Sequence, residues 1–261
     1  SEMCIRDRVI SMLELTPLSE IKYTYHEPGY WVIHNPFKSG VDEYVKWCNQ
    51  RNKSNIKKQA HNNPFQVNIT EETYDTQNVA LNLLRPFYKQ IVGQSKRPYI
   101  EDIGLGWLNL YEADKLKCRG TAGLPHNDCC DCIEGIVANY FMCDNVEESS
   151  TRFYKFHGDL TKEPGGDWNL FYDFTLKDSP LYPEYIKLSK GIVTNNFPNL
   201  SKETLEKFKY EYEGEAPALP WKLTIYEFKR SHTAYIPNNI KYRFSSCFLY
   251  GQIPHPWFRD L

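Results

Sequence analysis

The chain has 261 residues and a formal net charge of −2, from 31 basic and 33 acidic residues. This balance creates no overall field that would attract nucleic acid or an anionic membrane, so we expect neither as a partner. No apolar run reaches the length of a transmembrane helix, and the N-terminus lacks the order of a signal peptide, which predicts a soluble cytoplasmic protein. Aromatic residues make up 15% of the chain and favour strands, which predicts a β-rich core with a roomy pocket.

The length of the chain suits a single domain. Residues 1–8 resemble a non-native remnant and are set aside, which leaves one predicted domain over residues 9–261. Within it we predict helical support over residues 9–100 and a β core over residues 101–250. Residues 158–220 form a long excursion from that core, and such insertions often carry function, so we expect a lid or a substrate-facing wall there.

The first regular elements in the chain are helices. Apolar residues recur at helical spacing over residues 41–52 and 77–93, and Pro86 is expected to kink the second helix. We expect both helices to pack on the outer face of a sheet. Shorter helical patterns follow Pro183 and Ser201 within the excursion.

From Leu105 the pattern changes to short strands separated by turns. The predicted strands cover residues 106–111, 134–143, 151–156, 221–230 and 241–250. Many short strands with flanking helices predict a mainly β fold, namely a double-stranded β-helix, or jelly roll, of the cupin type.

The most informative motif is His126-Asn127-Asp128, followed at a distance by His232. A His-x-Asp pair alone arises easily by chance. Two imidazoles and one carboxylate, however, are the ligand set that holds non-haem Fe(II) and leaves positions open for a co-substrate and O2. His126, Asp128 and His232 are therefore candidate metal ligands.

The segment after His232 adds a possible ligand clamp. A turn at residues 237–239 between two extended stretches predicts a β-hairpin. Strand alternation puts Arg243 and Ser245 on one face, where a guanidinium fork beside a hydroxyl suits the carboxylate of a ligand. The alternative interpretation is that Arg243 is an exposed strand residue.

Taken together, His126-x-Asp128, His232 and Arg243-x-Ser245 resemble the pattern of the Fe(II)- and 2-oxoglutarate-dependent dioxygenases. The prolyl-hydroxylase-like branch is the most similar. The resemblance implies that the triad holds Fe(II) and that Arg243 and Ser245 bind 2-oxoglutarate. It also implies an oxidoreductase that uses O2 to hydroxylate a small-molecule or peptidyl substrate, with release of succinate and CO2.

Two further features extend this resemblance over residues 100–250. Residues 149–155 read Ser-Ser-Thr-Arg-Phe-Tyr-Lys and are similar to the Gly-Gly-Thr-x-Phe-Tyr-Arg segment of small bacterial and viral members, with serines replacing the glycines. Tyr140 stands where related enzymes carry a tyrosine that contacts 2-oxoglutarate, although a core-packing role fits it nearly as well. Tyr111 is a second candidate for the same contact.

The cysteines beside the motif leave a second metal open. Cys129, Cys130 and Cys132 follow Asp128 and could bind zinc, but structural zinc sites usually use two separated ligand pairs and no second pair is present nearby. Free thiols fit the spacing better. The alternative function is a non-catalytic cupin-like or zinc-binding jelly-roll module.

Overall fold

A computed structural model describes residues 12–55, 66–68, 74–93, 99–112, 125–127, 134–158, 160–162, 170–172, 174, 177–191, 200–237 and 239–254. The predicted remnant at residues 1–8 lies outside these ranges. The fold is mainly β, as predicted. The strands are β1 (Glu14–Leu15), β2 (Tyr23–His26), β3 (Tyr30–Ile33), β4 (Phe37–Ser39), β5 (Gln66–Asn68), β6 (Tyr99–Glu112), β7 (Glu134–Phe141), β8 (Ser150–Phe156), β9 (Leu160–Lys162), β10 (Leu170–Tyr172), β11 (Tyr210–Pro217), β12 (Leu223–Glu227), β13 (Ser231–Tyr235) and β14 (Tyr242–Pro254).

Antiparallel pairing organises most of these strands into two sheets. The large sheet has seven strands in the order β2-β3-β12-β7-β14-β6-β5, and the small sheet has three in the order β11-β8-β13. Two short pairs, β1-β4 and β9-β10, lie beside them. The long strands β6 and β14 extend beyond their predicted bounds and pair along almost their whole length.

The two sheets pack face to face. Phe153 of β8 and Ala216 of β11 share one buried cluster with Val137, Tyr226 and Leu249 of the large sheet. Because side chains alternate across a strand, this cluster defines the inner face of each sheet. Each candidate site residue therefore lies either on the inner face of its sheet, toward the other sheet, or on the outer face.

The N-terminal helices cover the outer face of the large sheet, as predicted. They are α1 (Val41–Asn55) and a second helical run made of α2 (Tyr74–Asn78), π-helical turns at Val79–Leu84, α3 (Arg85–Phe87) and π-helical turns at Tyr88–Val92. The π-helical turns lie on both sides of Pro86, which lacks the N–H for a regular helical hydrogen bond. Gly93 ends the run with a φ of 124°. No helix in the described ranges is long and apolar enough to cross a membrane.

The predicted hairpin between β13 and β14 is wrong. Strand β13 pairs with β8 in the small sheet, whereas β14 pairs with β6 and β7 in the large sheet. The connection buries Ile236 and Ile240 as it passes from one sheet to the other. Pro237 and Asn239 therefore occupy a crossover, and turn chemistry alone does not decide which strand the chain pairs with afterwards.

The excursion at residues 158–220 divides into two parts. Its last strand, β11, pairs with β8 and belongs to the small sheet. Its helices are α4 (Tyr182–Gly191) and α5 (Lys202–Lys207), and Ser201 caps α5 by accepting a hydrogen bond from the Thr204 amide at 3.1 Å. Both helices lie over Tyr154 and Tyr210 on the outer face of the small sheet. These two helices therefore lie on the side of the small sheet that faces away from the inner face, and the predicted lid or substrate-facing wall stays a prediction.

Candidate functional site

His126 and His232 meet through a backbone bridge. The His126 amide donates to the His232 carbonyl at 3.0 Å, and the His232 amide donates to the His126 carbonyl at 2.7 Å. Residues that exchange both hydrogen bonds in an antiparallel pair place their side chains on the same face. The imidazole ring centroids are accordingly 4.6 Å apart. The structure thus brings together the two histidines that the sequence motif predicted.

A second hydrogen bond fixes the orientation of His232. Its Nδ1 lies 3.0 Å from the carbonyl oxygen of Arg230, and because a carbonyl only accepts, Nδ1 carries the proton. Nε2 is then the ring nitrogen with the lone pair, which is the tautomer that metal-binding histidines usually have. The ring is buried, at 6% exposure, and packs against Tyr226 with centroids 4.9 Å apart.

Tyr226 connects the two sheets at this position. It belongs to β12 of the large sheet, yet its ring contacts both His232 and Phe153 of the small sheet. Its hydroxyl accepts a hydrogen bond from the Asn139 side chain at 3.2 Å. The histidine pair therefore faces the inner side of the large sheet.

Arg243 lies on that inner face as a half-buried cation. Its Nε is fully buried and has no hydrogen-bond partner among the described residues, and its guanidinium lies 4.8 Å from the centroid of the Phe141 ring. Burial lowers the pKa of Arg243 to about 10, while Cys143, Tyr226 and Cys247 act in the opposite direction. The side chain is therefore still charged at neutral pH. No carboxylate in the described part of the chain pairs with it, so an anionic ligand would supply the missing charge partner.

Other polar side chains share this face with Arg243. Ser245, two residues along β14, is 2% exposed, and strand alternation gives it the same direction as Arg243. Thr224 pairs with Asn139 across the sheet, and its Oγ1 is buried without a hydrogen-bond partner. Buried polar atoms are normally hydrogen-bonded, and two unsatisfied atoms on one inner face indicate a place for a polar ligand.

The two tyrosine candidates have different positions. Tyr140 lies on the helix-facing side of the large sheet, with ring centroids 5.0 Å from Phe37 and 6.3 Å from Trp221. The structure does not bring it to the face of Arg243, because its neighbour Asn139 takes the inner position in the strand alternation. The backbone of Tyr111 pairs with Arg243, while its side chain lies outside the described residues.

Sequence reasoning missed Tyr226, Asn139 and Thr224. The sequence did contain one indication of their position. Thr224 and Tyr226 are two residues apart and therefore share one face of β12. Identifying that face, however, required knowledge that β12 pairs with β7.

The third predicted ligand and the neighbouring thiols are not described by the structure. Asp128, Cys129, Cys130 and Cys132 all lie outside the described residues. Among the residues that are described, no group of three or more His, Cys, Asp or Glu side chains could hold a metal ion. The two histidines form the described part of the candidate site.

Comparison with known proteins provides little further information. No protein-family model matches the chain, and no curated protein matches it. Among solved structures, HygX from Streptomyces hygroscopicus with nickel and 2-oxoglutarate bound is 13% identical, with a TM-score of 0.40 over 85% of this chain and 82% of that one. The same protein with nickel, 2-oxoglutarate and hygromycin B bound is 12% identical, with a TM-score of 0.37 over the same shares. Similarity at this level carries no argument about function.

Proposed function

We propose that this chain is an Fe(II)- and 2-oxoglutarate-dependent oxygenase with a jelly-roll core, and that it hydroxylates a small-molecule or peptidyl substrate in the cytoplasm. One observation carries the proposal. A backbone bridge holds the His126 and His232 rings 4.6 Å apart, and these rings face a sheet that presents the guanidinium of Arg243, whose buried Nε has no hydrogen-bond partner among the described residues. Two imidazoles opposite a cation suit a metal with an anionic co-substrate.

The histidines would hold the metal, with Asp128 as the third ligand on sequence grounds. The Arg230 carbonyl keeps the proton of His232 on Nδ1, so Nε2 is the nitrogen that would bind the metal. Tyr226 packs against the His232 ring and restricts its rotation. These contacts set the ring direction before the metal arrives, so binding requires little reorganisation.

Arg243 and Ser245 would bind the carboxylate of 2-oxoglutarate that lies farther from the metal. Phe141 supports the guanidinium from one side. When bound, Fe(II) and 2-oxoglutarate supply the chemistry that uses O2 to hydroxylate a C–H bond, with release of succinate and CO2. The chain itself binds, orients and shields these groups from water.

The function is tested by succinate release. Freshly reduced protein is incubated with Fe(II), 2-oxoglutarate and O2 against free amino acids, peptides, nucleobases and small metabolites. We expect release that depends on one substrate class and disappears in His232→Ala. His157→Ala is the matched control, because His157 is an exposed histidine that pairs with Glu211 at 2.8 Å. If wild-type protein binds zinc but neither Fe(II) nor 2-oxoglutarate, the non-catalytic module is the better description.

A further inference from the structure

A pocket opens at one end of the small sheet, lined in part by the chain neighbours of the two histidines. It has a volume of about 300 Å³, and its wall includes Asn127 and Ser231. Asn127 follows His126 in the chain and Ser231 precedes His232, and successive strand residues are only about 3.3 Å apart. The volume lies at the lower end of small-molecule pockets. The pocket is large enough for one functional group of a ligand and the atoms next to that group.

The charged residues of this pocket are mainly basic. Lys155, Lys229 and Arg230 line it together with a single carboxylate, Glu213. Arg230 is already neutralised, because its Nη2 lies 2.8 Å from Glu213. Lys155 and Lys229 are exposed, and neither forms an ion pair within the described ranges. The pocket is thus locally cationic in a chain whose net charge is −2.

Arg230 joins this pocket to the histidine pair. Its guanidinium lies 4.4 Å from the centroid of the Phe153 ring, and Phe153 is the direct ladder partner of His232. Its Nη1 donates to the Gly29 carbonyl at 2.8 Å, and its buried Nε has no hydrogen-bond partner. Since its own carbonyl also accepts from His232, one residue contributes to both sites. Arg230 therefore links a group held in the pocket to the residues that position His232.

We propose that this pocket binds an anionic group of the substrate, a carboxylate or a phosphate, and that Lys155 and Lys229 are the contacting cations. Lysine ammonium groups act as point charges with rotatable donors, so they accept either anion. The pocket is distinct from Arg243, which lies on the large sheet. The assignment of the anion to a substrate rests on the proposed function, whereas anion binding itself does not.

Anion binding is tested first, on metal-free protein. Lysines are acylated with an amine-reactive ester, and the rate at each position is read by peptide mass spectrometry in inorganic phosphate, in acetate and in chloride of equal ionic strength. We expect phosphate or acetate, at about four times its dissociation constant, to slow the labelling of Lys155 and Lys229 about fivefold, because mass action then leaves about one fifth of the sites empty. Lys177, an exposed lysine outside the pocket, serves as the internal control. Equal slowing at Lys177, or slowing by chloride to the same extent, would overturn the proposal.

The role in substrate selection is tested separately, with pairs of compounds that differ only by a carboxylate or a phosphate. In Lys155→Gln/Lys229→Gln, the kcat/KM ratio of the anionic to the neutral member is expected to fall about tenfold, the effect of two partly solvated charges. Lys155→Arg/Lys229→Arg should restore most of this ratio, and Lys177→Gln should leave it as in the wild type. An unchanged ratio in the double glutamine variant contradicts the substrate role. If no compound releases succinate, the proposed function fails, while the labelling result still decides whether the pocket binds anions.

Discussion

The two faces of the large sheet satisfy their polar groups differently. On the helix-facing side, the buried hydroxyl of Tyr44 is paired with Ser246 and that of Tyr250 donates to Asp102. Within the described residues, Arg243 Nε and Thr224 Oγ1 are buried without partners on the inner side, and Gln252 Oε1 is such an atom on the helix-facing side. A buried polar atom without a hydrogen bond destabilises the folded protein, so it has no purpose in a face that only packs a core. The inner side differs in that one of its unsatisfied atoms belongs to a cationic guanidinium, which favours ligand binding there and packing on the helix-facing side.

The largest effect on stability is expected from a substitution on the helix-facing side. Phe248 is fully buried there, and Phe248→Ala should lower the free energy of unfolding by about 3–5 kcal/mol, because it removes a large apolar side chain and leaves a cavity. Denaturant unfolding measures this change. The folded fraction should keep its affinity for 2-oxoglutarate, and a selective loss of that affinity would mean that the two faces are not separate in role.

The next largest effect is expected from substitution in the histidine pair, on Fe(II) affinity. His126→Ala removes one proposed ligand and should weaken Fe(II) binding by at least about 100-fold, the upper range for losing even an indirect contact at a metal site. Anaerobic metal titration measures the affinity, with His157→Ala as the control that removes an exposed imidazole. Equal affinities in the two variants would show that His126 does not bind the metal.

Arg243 should affect the co-substrate more than the metal. Arg243→Ala is expected to weaken 2-oxoglutarate binding by about 2–3 kcal/mol, the range for a hydrogen bond to a charged group, with a much smaller change in Fe(II) affinity. Calorimetry on the Fe(II)-loaded protein without O2 measures both. Equal losses in the two affinities would indicate a folding defect instead.

The substitution of Thr224 should have the smallest effect, and it should stabilise the protein instead of destabilising it. Its hydroxyl is buried without a partner, so Thr224→Val should raise the ligand-free unfolding free energy by about 1 kcal/mol. Thr233→Val is the matched control, because the Thr233 hydroxyl lies 3.3 Å from that of Tyr154 and its loss should destabilise the protein. Thermal unfolding of the two variants measures the contrast. Destabilisation by both would mean that Thr224 has a structural partner.

Sequence patterns predicted the local elements and the chemically distinctive residues. Helix α1 and the helix after Ser201 follow from apolar spacing and capping chemistry, and the same patterns selected His126, His232 and Arg243. These signals depend on neighbouring residues or on side-chain chemistry, and both can be read without tertiary structure.

Strand pairing could not be predicted in the same way. The turn at residues 237–239 predicts a change of direction, but the burial of Ile236 and Ile240 between two sheets is what makes it a crossover. Tyr140 and Asn139 are chain neighbours, and only the register with β12 and β14 shows which one faces the site. A shift of one residue exchanges the two faces.

The most direct test of the central claim is the visible absorption of the Fe(II)-loaded protein on addition of 2-oxoglutarate in the absence of O2. We expect a weak metal-to-ligand charge-transfer band in the wild type and in His157→Ala, and its loss in His232→Ala. In Arg243→Ala the same band should appear only at higher 2-oxoglutarate concentration. Absence of the band in wild-type protein that has bound Fe(II), or its persistence in His232→Ala, would contradict the assignment of the histidine pair and Arg243 to one metal and co-substrate site.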